Sequence, residues 1–482
     1  MSLGNFVKSI QDIMRMDAGI NGDAQRIEQM VWILFLKIFD VKEQEWELME
    51  DDYSEIVPVK YQWRNWAEDE EGMTGDELLE FVEKMFKEIK DISVDETTDK
   101  RKILLKEFFS DSHNYMKSGT LLRQVINRVN QLDFESYEER HAFNDIYESI
   151  LKDLQSAGNA GEYYTPRPVT DFLIEILNPK IGEKVADFAC GTGGFLISAI
   201  NHIKKNQGKD FSVEDIGTLG KSIYGIEKKP MPHMLCITNM MLNDIDTPNV
   251  IHDNGLTKNV REFSFEEKVD VIAMNPPFGG TEEEGIKINF PLEFRTSETA
   301  DLFLVRMMYQ LKDNGRAGVV LPDGFLFGEG VKTKIKEKLL TEFKLHTIVR
   351  LPNGVFAPYT GINTNLLFFE KGEATKDVWF FEHPLPKGYK NYAKTKPIKS
   401  SEFELEKEWW NNRVENEYAW KVSIEEIKAK NYNLDFKNPN KVEKVYDNPQ
   451  EVLEIYNTTL KEIAEIKEVL RNELEACLKE NI

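Results

Sequence analysis

Cysteine is scarce in this sequence, which has three cysteines among 482 residues. Cys190, Cys236 and Cys477 lie far apart and include no Cys-x-x-Cys pair. The sequence therefore encodes neither a disulfide framework nor a zinc site, and we expect no metal centre. Free thiols are typical of a reducing compartment, so we expect a cytoplasmic protein.

Long hydrophobic runs are also missing. The longest apolar stretch, residues 30–39, covers ten positions and contains Lys37. It is too short to cross a bilayer and predicts a buried helix. The first residues lack a charged segment followed by an apolar one, so we expect no signal peptide and no membrane association.

Positive charge is in deficit, because 61 Lys and Arg residues stand against 84 Asp and Glu residues and give a formal net charge of −23. Non-specific DNA binding depends on neutralising phosphates with a surplus of cations. A chain this acidic is poorly suited to bind DNA unaided. If it acts on DNA, we expect the basic groups to be concentrated locally or supplied by another subunit.

Three regions follow from the patterning of the chain. Residues 1–155 show apolar positions at helical spacing and predict an all-helical domain. After the small and polar residues 156–161, strand and helix patterns alternate, which predicts an α/β domain over 156–400 with a doubly wound, mostly parallel sheet. Residues 401–482 are predicted to be helical. The predicted strands are Lys184–Ala189, Ser222–Glu227, Asn249–His252, Val269–Met274, Arg316–Leu321, and an antiparallel pair Leu345–Leu351 and Thr364–Phe369.

A glycine-rich turn follows the first predicted strand, in the run Asp187-Phe188-Ala189-Cys190-Gly191-Thr192-Gly193. Its two glycines allow a tight strand-to-helix turn and a close approach of a ligand to the backbone. Leu196 stands where a dinucleotide fingerprint has its third glycine, and this disfavours a pyrophosphate ligand.

Acidic and amide residues end the next two strands. Glu227 is placed to bind ribose hydroxyls, although it follows Asp187 by forty residues, more than the usual ~20. We assign the excess to a polar insertion at 204–221. Asp253 and Asn254 end the third strand and are candidates for contact with the adenine of a nucleoside.

The run Met274-Asn275-Pro276-Pro277-Phe278 lies at the end of the fourth predicted strand. The two prolines lack amide hydrogens and restrict the backbone, so carbonyl groups there can point into a cleft. The Asn275 amide oxygen and the Pro276 carbonyl are suited to accept hydrogen bonds from an exocyclic amino group, and Phe278 is suited to stack on its ring. A rigid turn at a strand end is the simpler alternative for this run taken alone.

The end of the chain contains two further patterns. Trp409, Trp410 and Trp420 are predicted to be packing anchors rather than platforms for nucleic-acid bases. The last helix has apolar residues at alternating three- and four-residue steps, which indicates a coiled coil or docking helix. A helix folded back on its own protein would show the same pattern, and the sequence does not favour either alternative. These positions are Leu453, Tyr456, Leu460, Ile463, Leu470, Leu474 and Cys477, with Lys467 between them.

Together, these motifs resemble the S-adenosylmethionine-dependent amino-methyltransferases of DNA, and more narrowly the modification (M) subunits of type I restriction-modification systems. The resemblance covers nearly the whole chain. It also rests on Glu162-Tyr163-Tyr164-Thr165-Pro166-Arg167 before the glycine-rich turn, and on Tyr432-Asn433-Leu434-Asp435 with Lys437-Asn438-Pro439 near the end. It implies a Rossmann-like methyltransferase fold over 156–400 and a subunit-docking role for 401–482.

The resemblance also implies roles for individual residues. The residues from Glu162 to Arg167 would hold the methionine end of S-adenosyl-L-methionine, and Asp187 with Ala189, Cys190, Gly191, Thr192 and Gly193 would hold its amino acid part. Glu227 would bind the ribose. The target adenine, flipped out of the duplex, would lie against Asn275, Pro276, Pro277 and Phe278.

The implied function is methyl transfer to N6 of adenine in a DNA sequence read by a separate specificity (S) subunit. We expect two copies of this chain per complex, and the sequence leaves open whether a restriction (R) subunit joins. A methyltransferase of protein glutamine N5 is an alternative, because a planar amide nitrogen presents the same chemical problem. A catalytically silent scaffold subunit is a second alternative, disfavoured by the complete Asn-Pro-Pro-Phe run and glycine-rich turn.

Overall fold

The computed structural model describes residues 3–132, 164–358, 360–440 and 449–480. Residues up to Asn438 form one compact unit and residues from Pro439 form another. The predicted boundary at 156–161 lies outside the described residues.

The first unit begins with a helical domain, as predicted. The ten-residue apolar stretch lies inside the second helix, where its side chains are buried, so the buried helix predicted for it is confirmed. Lys37 in this stretch is buried as well, and its Nζ donates to the carbonyls of Val129 and Leu132 at 3.0 and 2.6 Å. The helices are α1 (Leu3–Arg15), α2 (Asp23–Met49), α3 (Trp63–Trp66), α4 (Gly75–Lys90), α5 (Lys100–Asp111) and α6 (Gly119–Asn130).

One sheet organises the rest of the first unit. Among the described residues it has nine strands in the order β3-β2-β1-β4-β5-β7-β6-β8-β9. The strands are β1 (Val185–Asp187), β2 (Ile223–Glu227), β3 (Asn249–His252), β4 (Val269–Met274), β5 (Leu311–Pro322), β6 (Phe343–Arg350), β7 (Thr364–Lys371), β8 (Asp377–Glu382) and β9 (Ala419–Ser423).

Strands β1 to β5 are parallel, and β7 is antiparallel between β5 and β6. The chain proceeds from β1 outward to β3 and then returns to β4 on the other side of β1. The strand order therefore reverses between β1 and β4, and their carboxyl ends face a common crevice. This confirms the predicted doubly wound, mostly parallel sheet with an antiparallel pair near its end.

Helices pack against the sheet. Valine, isoleucine, leucine and phenylalanine side chains from the strands and these helices form one continuous core. The helices are α7 (Arg167–Leu177), α8 (Gly194–Gln207), α9 (Val213–Ser222), α10 (Pro230–Leu242), α11 (Glu284–Lys287), α12 (Thr299–Gln310), α13 (Asp323–Phe327), α14 (Val331–Thr341), α15 (Glu404–Asn411) and α16 (Ile424–Ala429).

The sheet continues past residue 400, where only helices were expected. Strand β9 pairs antiparallel with β8, and Trp420 in β9 stacks on Phe380 at a ring separation of 5.4 Å. The alternation Ala419-Trp420-Lys421-Val422, with Lys421 exposed, is that of an edge strand. Trp409 and Trp420 are buried, so their predicted role as packing anchors is confirmed.

The second unit contains helix α17 (Pro449–Glu480), which coincides with the predicted C-terminal helix. The apolar positions of its heptad pattern that the structure describes are exposed, from Leu453 to Leu470. Across the described parts of the chain, no helix combines the length and the apolar character that a membrane span needs.

Candidate active site

The glycine-rich turn lies at the carboxyl end of β1 and leads into α8, as predicted. Gly191 and Gly193 have φ values of +54° and +85°, which side chains other than glycine adopt only with strain. A Cβ on Gly191 would meet no heavy atom within 4 Å. A Cβ on Gly193 would lie 2.8 Å from Cys236 Sγ. Open space for a ligand therefore borders Gly191, whereas protein already fills the space beside Gly193.

Glu227 connects this turn to the end of β2. Its carboxylate accepts hydrogen bonds from the backbone N–H of Gly191 at 2.9 Å and of Lys229 at 2.8 Å. These two bonds fix the carboxylate beside the glycine-rich turn, at the carboxyl end of β2. The insertion after α8 forms the short helix α9, and β2 still brings Glu227 beside the turn.

Asp187 ends β1 and is 1% exposed. Its Oδ1 accepts from the backbone N–H of Ala189 at 3.1 Å. Burial, helped by the negative charge of Glu227, raises the pKa of Asp187 well above its ordinary value. A cationic group bound beside this carboxyl would oppose the shift and favour the ionised carboxylate.

Cys190 and Cys236 are buried free thiols, as expected. Their sulfur atoms are 3.9 Å apart, and the Cys236 thiol together with burial raises the pKa of Cys190. Both sulfurs therefore act here as apolar packing atoms under the turn.

Asp253 and Asn254 follow β3 at the same edge of the sheet. The backbone N–H of Asp253 donates to the Glu227 carbonyl at 3.1 Å. The amide of Asn254 is engaged at both ends, because Nδ2 donates to Glu282 Oε2 at 3.1 Å and Oδ1 accepts from the backbone N–H of Leu256 at 3.0 Å. Asp253 is exposed at the rim, whereas Asn254 holds the loop together.

The segment before α7 is described from Tyr164 onward, and the predicted residues Glu162 and Tyr163 lie outside the described residues. Pro166 precedes the first turn of α7, and Arg167 begins that helix. Arg167 Nη1 donates to the carbonyl of Gly194 at 2.7 Å, just after the glycine-rich turn. Tyr164 is partly buried beside this segment.

Asn275 lies directly after β4, on the other side of the point where the strand order reverses. Its side chain is 9% exposed, and Nδ2 donates to Oγ1 of the buried Thr165 at 2.9 Å. This bond orients the amide so that Oδ1 faces away from Thr165. Oδ1 is buried and has no hydrogen-bond partner within the described residues. An unpaired buried acceptor is costly, and at a strand end beside a crevice it indicates a site for a donor from a ligand.

The rest of the run follows Asn275 at the end of β4. Pro276 is buried, Pro277 is partly buried and Phe278 is 7% exposed. Phe278 forms a wall of a cavity of about 180 Å³ that also involves Pro322 and Lys332. This volume is below the ~300–1,000 Å³ of sites for drug-sized molecules, so it suits one ring system.

The structure adds two residues that the sequence analysis missed. Asn239 in α10 is buried, and its Nδ2 donates to the carbonyl of Thr192 in the turn at 3.1 Å. Cys236, one helical turn earlier, lies against Gly193. An amide in a largely apolar helix is the signal that could have identified Asn239, because a buried polar side chain requires a partner.

Comparisons with known proteins identify the family of the chain. The family model of the N-6 DNA methylases matches residues 138–448, and a model of the HsdM N-terminal domain matches residues 3–129. The methylase subunit of the type I restriction enzyme EcoEI of Escherichia coli is 56% identical over 490 residues, covering 100% of this chain and 99% of that protein.

Solved structures give the same result. A protein described as a modification subunit of a type I restriction enzyme from Vibrio vulnificus YJ016 superimposes with a TM-score of 0.82 at 42% identity, covering 91% of this chain and 97% of that one. A chain from a structural study of complex assembly in a type I R-M system superimposes with a TM-score of 0.81 at 37% identity, covering 98% of both chains. With its N-6 DNA methylase domain and its helical N-terminal domain both matched, this chain belongs to the methylase (modification) subunits of type I restriction enzymes.

Proposed function

We propose that this chain transfers a methyl group from S-adenosyl-L-methionine to N6 of an adenine in DNA. The observation that carries the proposal is the buried Asn275 amide, whose Nδ2 is held by Thr165 and whose Oδ1 has no partner among the described residues. This acceptor lies next to the glycine-rich turn at the reversal of strand order.

The residues present fit the cofactor. Open space borders Gly191, where a ligand can approach the backbone. Asp187 is a buried carboxyl at the end of β1 whose ionised form would pair with the cofactor's ammonium group, and Glu227 beside the turn is the carboxylate that we assign to the ribose hydroxyls. Thr165 to Arg167 bridge the turn and Asn275, which places them where the methionine end would lie. When bound, S-adenosyl-L-methionine supplies an electrophilic methyl group on a sulfonium centre.

The chain's own residues contribute positioning and electrostatics. The lone pair of adenine N6 is delocalised into the ring and is a poor nucleophile. Asn275 Oδ1 and the Pro276 carbonyl accept the two N6 hydrogens and thereby favour a more tetrahedral nitrogen. Phe278 stacks on the flipped base and holds it in the crevice.

The target sequence is read elsewhere in the complex. The net charge of −23 opposes unaided DNA binding, and the residues after β9, 424–482, contain nine Lys and Arg against thirteen Asp and Glu. We propose that a separate specificity subunit reads the DNA, that two copies of this chain join it in the cytoplasm, and that α17 takes part in docking. A native mass measurement of the reconstituted complex tests the copy number.

Transfer of a tritiated methyl group tests the reaction. We expect label in adenine of DNA when the specificity subunit is present, and Asn275→Ala should reduce turnover at least ~100-fold, the size associated with a lost positioned polar group. Cofactor affinity should change little, because Asn275 contacts the base. Label in glutamine of a protein would support the alternative enzyme, and near-normal turnover by the variant would remove Asn275 from the mechanism.

A further inference from the structure

Helix α10 belongs to two hydrophobic cores at once. Every residue from Pro232 to Leu242 is buried, including the polar His233, Thr238 and Asn239. Cys236 and Met240 face the core of the sheet. The opposite side of the helix belongs to the core of the N-terminal helical domain, through Met234, Leu235, Ile237, Met241 and Leu242.

The sheet-facing side of α10 supports the glycine-rich turn. Asn239 Nδ2 donates to the Thr192 carbonyl at 3.1 Å, which lies between the two glycines. Cys236 fills the space under Gly193, so its Sγ fixes how closely the turn approaches the helix. The position of the turn therefore depends on the position of α10.

The helical domain holds the other side and the end of α10. Ser112 Oγ, after α5, donates to the Phe108 carbonyl at 2.8 Å and lies 3.2 Å from Met234 Sδ. Trp46 Nε1 in α2 donates to Asp246 Oδ2 at 2.9 Å, and Lys42 Nζ lies 3.4 Å from Asp246 Oδ1. Packed apolar side chains thus attach α10 to the helical domain. The contacts of Trp46 and Lys42 with Asp246 attach the segment after α10 to α2.

We propose that the helical domain sets the affinity for S-adenosyl-L-methionine through α10, with Asn239 as the positioning residue of the glycine-rich turn. The inference rests on the proposed function of that turn as the cofactor site. A packed helix transmits small displacements because interiors have little free volume. A subunit or DNA that shifts the helical domain would thereby change cofactor affinity at a site it does not touch.

The test compares two truncations in the same helical core by titration calorimetry on the full chain. Ile237→Ala removes a side chain that α10 directs to the helical domain, and Ile126→Ala in α6 is the matched control, since both residues are 0% exposed isoleucines. We expect the dissociation constant for S-adenosyl-L-methionine to rise at least ~5-fold for Ile237→Ala and to stay within ~2-fold for Ile126→Ala. Equal effects of the two truncations, or none, would overturn the proposal.

Two milder substitutions test the same coupling in case the isoleucine truncations prevent folding. Trp46→Phe removes the donor to Asp246 while keeping a ring against Phe39, and Asp246→Asn keeps an acceptor for that donor. We expect weaker cofactor binding for Trp46→Phe and a smaller loss for Asp246→Asn, which keeps an acceptor for Trp46 but removes the charge that faces Lys42. If the unaltered chain fails to bind S-adenosyl-L-methionine at all, the proposed function is wrong; if it binds and all these variants bind equally, only the coupling is wrong.

The positioning role of Asn239 is tested by measuring KM for the cofactor and kcat separately in the methylation-competent complex. Asn239→Ala should raise KM for S-adenosyl-L-methionine by ~5- to 10-fold, the range of one lost hydrogen bond, while kcat at saturating cofactor stays near its original value. A purely structural role would instead lower the amount of active enzyme and leave KM unchanged.

Discussion

At the scale of single residues, the site depends on which atom of a side chain is occupied and which is free. Asn275 Nδ2 donates a hydrogen bond to Thr165 Oγ1, whereas Asn275 Oδ1 has no partner among the described residues. An amide rotated by half a turn would present N–H groups to the base and would repel the N6 hydrogens. While the Thr165 hydroxyl accepts this bond, the Oδ1 lone pairs of Asn275 face away from Thr165.

Thr165→Val tests this role. Valine has the shape of threonine but no acceptor, so Asn275 Nδ2 loses its partner and the amide is free to rotate. We expect turnover to fall by ~10-fold, about the effect of one hydrogen bond. Thr165→Ser keeps the hydroxyl and is the control, and methyl transfer with saturating cofactor is the measurement. Equal activity of the valine and serine variants would contradict the orienting role.

The two glycines of the turn are expected to respond differently to substitution. Gly191→Ala should fold with a loss of ~1 kcal/mol, the strain of a side chain at positive φ, and should weaken cofactor binding because its Cβ enters open space. Gly193→Ala should mainly reduce the melting temperature, because its Cβ would lie 2.8 Å from Cys236 Sγ.

The double variant Gly193→Ala with Cys236→Ala distinguishes two causes of instability. One is the clash of the new Cβ with Cys236 Sγ, and the other is the backbone strain of a side chain at positive φ. Removing the sulfur should restore part of the melting temperature lost by Gly193→Ala. Calorimetric titration and thermal melts of the three variants distinguish these outcomes, and a full loss of binding without a loss of stability at Gly193 would contradict this assignment.

At the scale of elements, helix α2 carries charge into the helical core. Asp40 is 2% exposed, and burial raises its pKa from 3.8 to about 6 despite the nearby Arg64. A carboxyl whose pKa is raised on folding stabilises the fold below its unfolded pKa, and that contribution is lost as pH rises through the folded pKa. Asp40 should therefore weaken the fold increasingly between pH 4 and 7.

Asp40→Asn removes this titration. Relative to the unaltered chain, the variant should gain ~1.5 kcal/mol of stability between pH 5 and pH 8, given 1.36 kcal/mol per pKa unit. The difference in melting temperature between the two chains, followed by calorimetry over that range, is the measurement. A difference independent of pH would show that Asp40 does not titrate there.

Elements whose signal is local were predictable from sequence. The strands that end in Glu227 and Met274 were found because each is an apolar run followed by polar or rigid residues. The position of β7 between β5 and β6 was not predictable, because pairing partners distant in sequence leave no local pattern. Strand β9 was missed because a five-residue edge strand resembles the helical segments around it.

Part of the candidate site was likewise predictable from sequence and part was not. The residue types at strand ends follow from motifs, whereas the bond between Thr165 and Asn275 joins positions 110 residues apart. Asn239 was missed for the same reason, because only the fold brings α10 under the turn.

At the scale of the whole molecule, acidity and an exposed helix both indicate dependence on a partner. The chain carries a net charge of −23, and the apolar positions of α17 that the structure describes are exposed, Leu460 by 46% and Ile463 by 43%. Exposed apolar side chains repeated at heptad spacing favour burial against another helix. We expect the purified chain alone to bind cofactor yet to methylate DNA poorly until a specificity subunit is added. Strong, sequence-specific methylation by the chain alone would contradict this dependence.

The heptad positions of α17 give the sharpest test of docking. Leu460→Glu with Ile463→Glu places two charges on the apolar side, and Thr458→Glu with Lys461→Gln makes the same change in net charge on the other side of the helix. We expect the first pair to weaken assembly with the specificity subunit at least ~10-fold, as for the centre of an interface, and the second pair to have little effect. Sedimentation of the mixed subunits measures assembly, while cofactor titration should be unchanged in both. If the first pair leaves assembly intact but lowers the melting temperature of the isolated chain, the apolar side of α17 packs within the chain itself and the docking surface lies elsewhere.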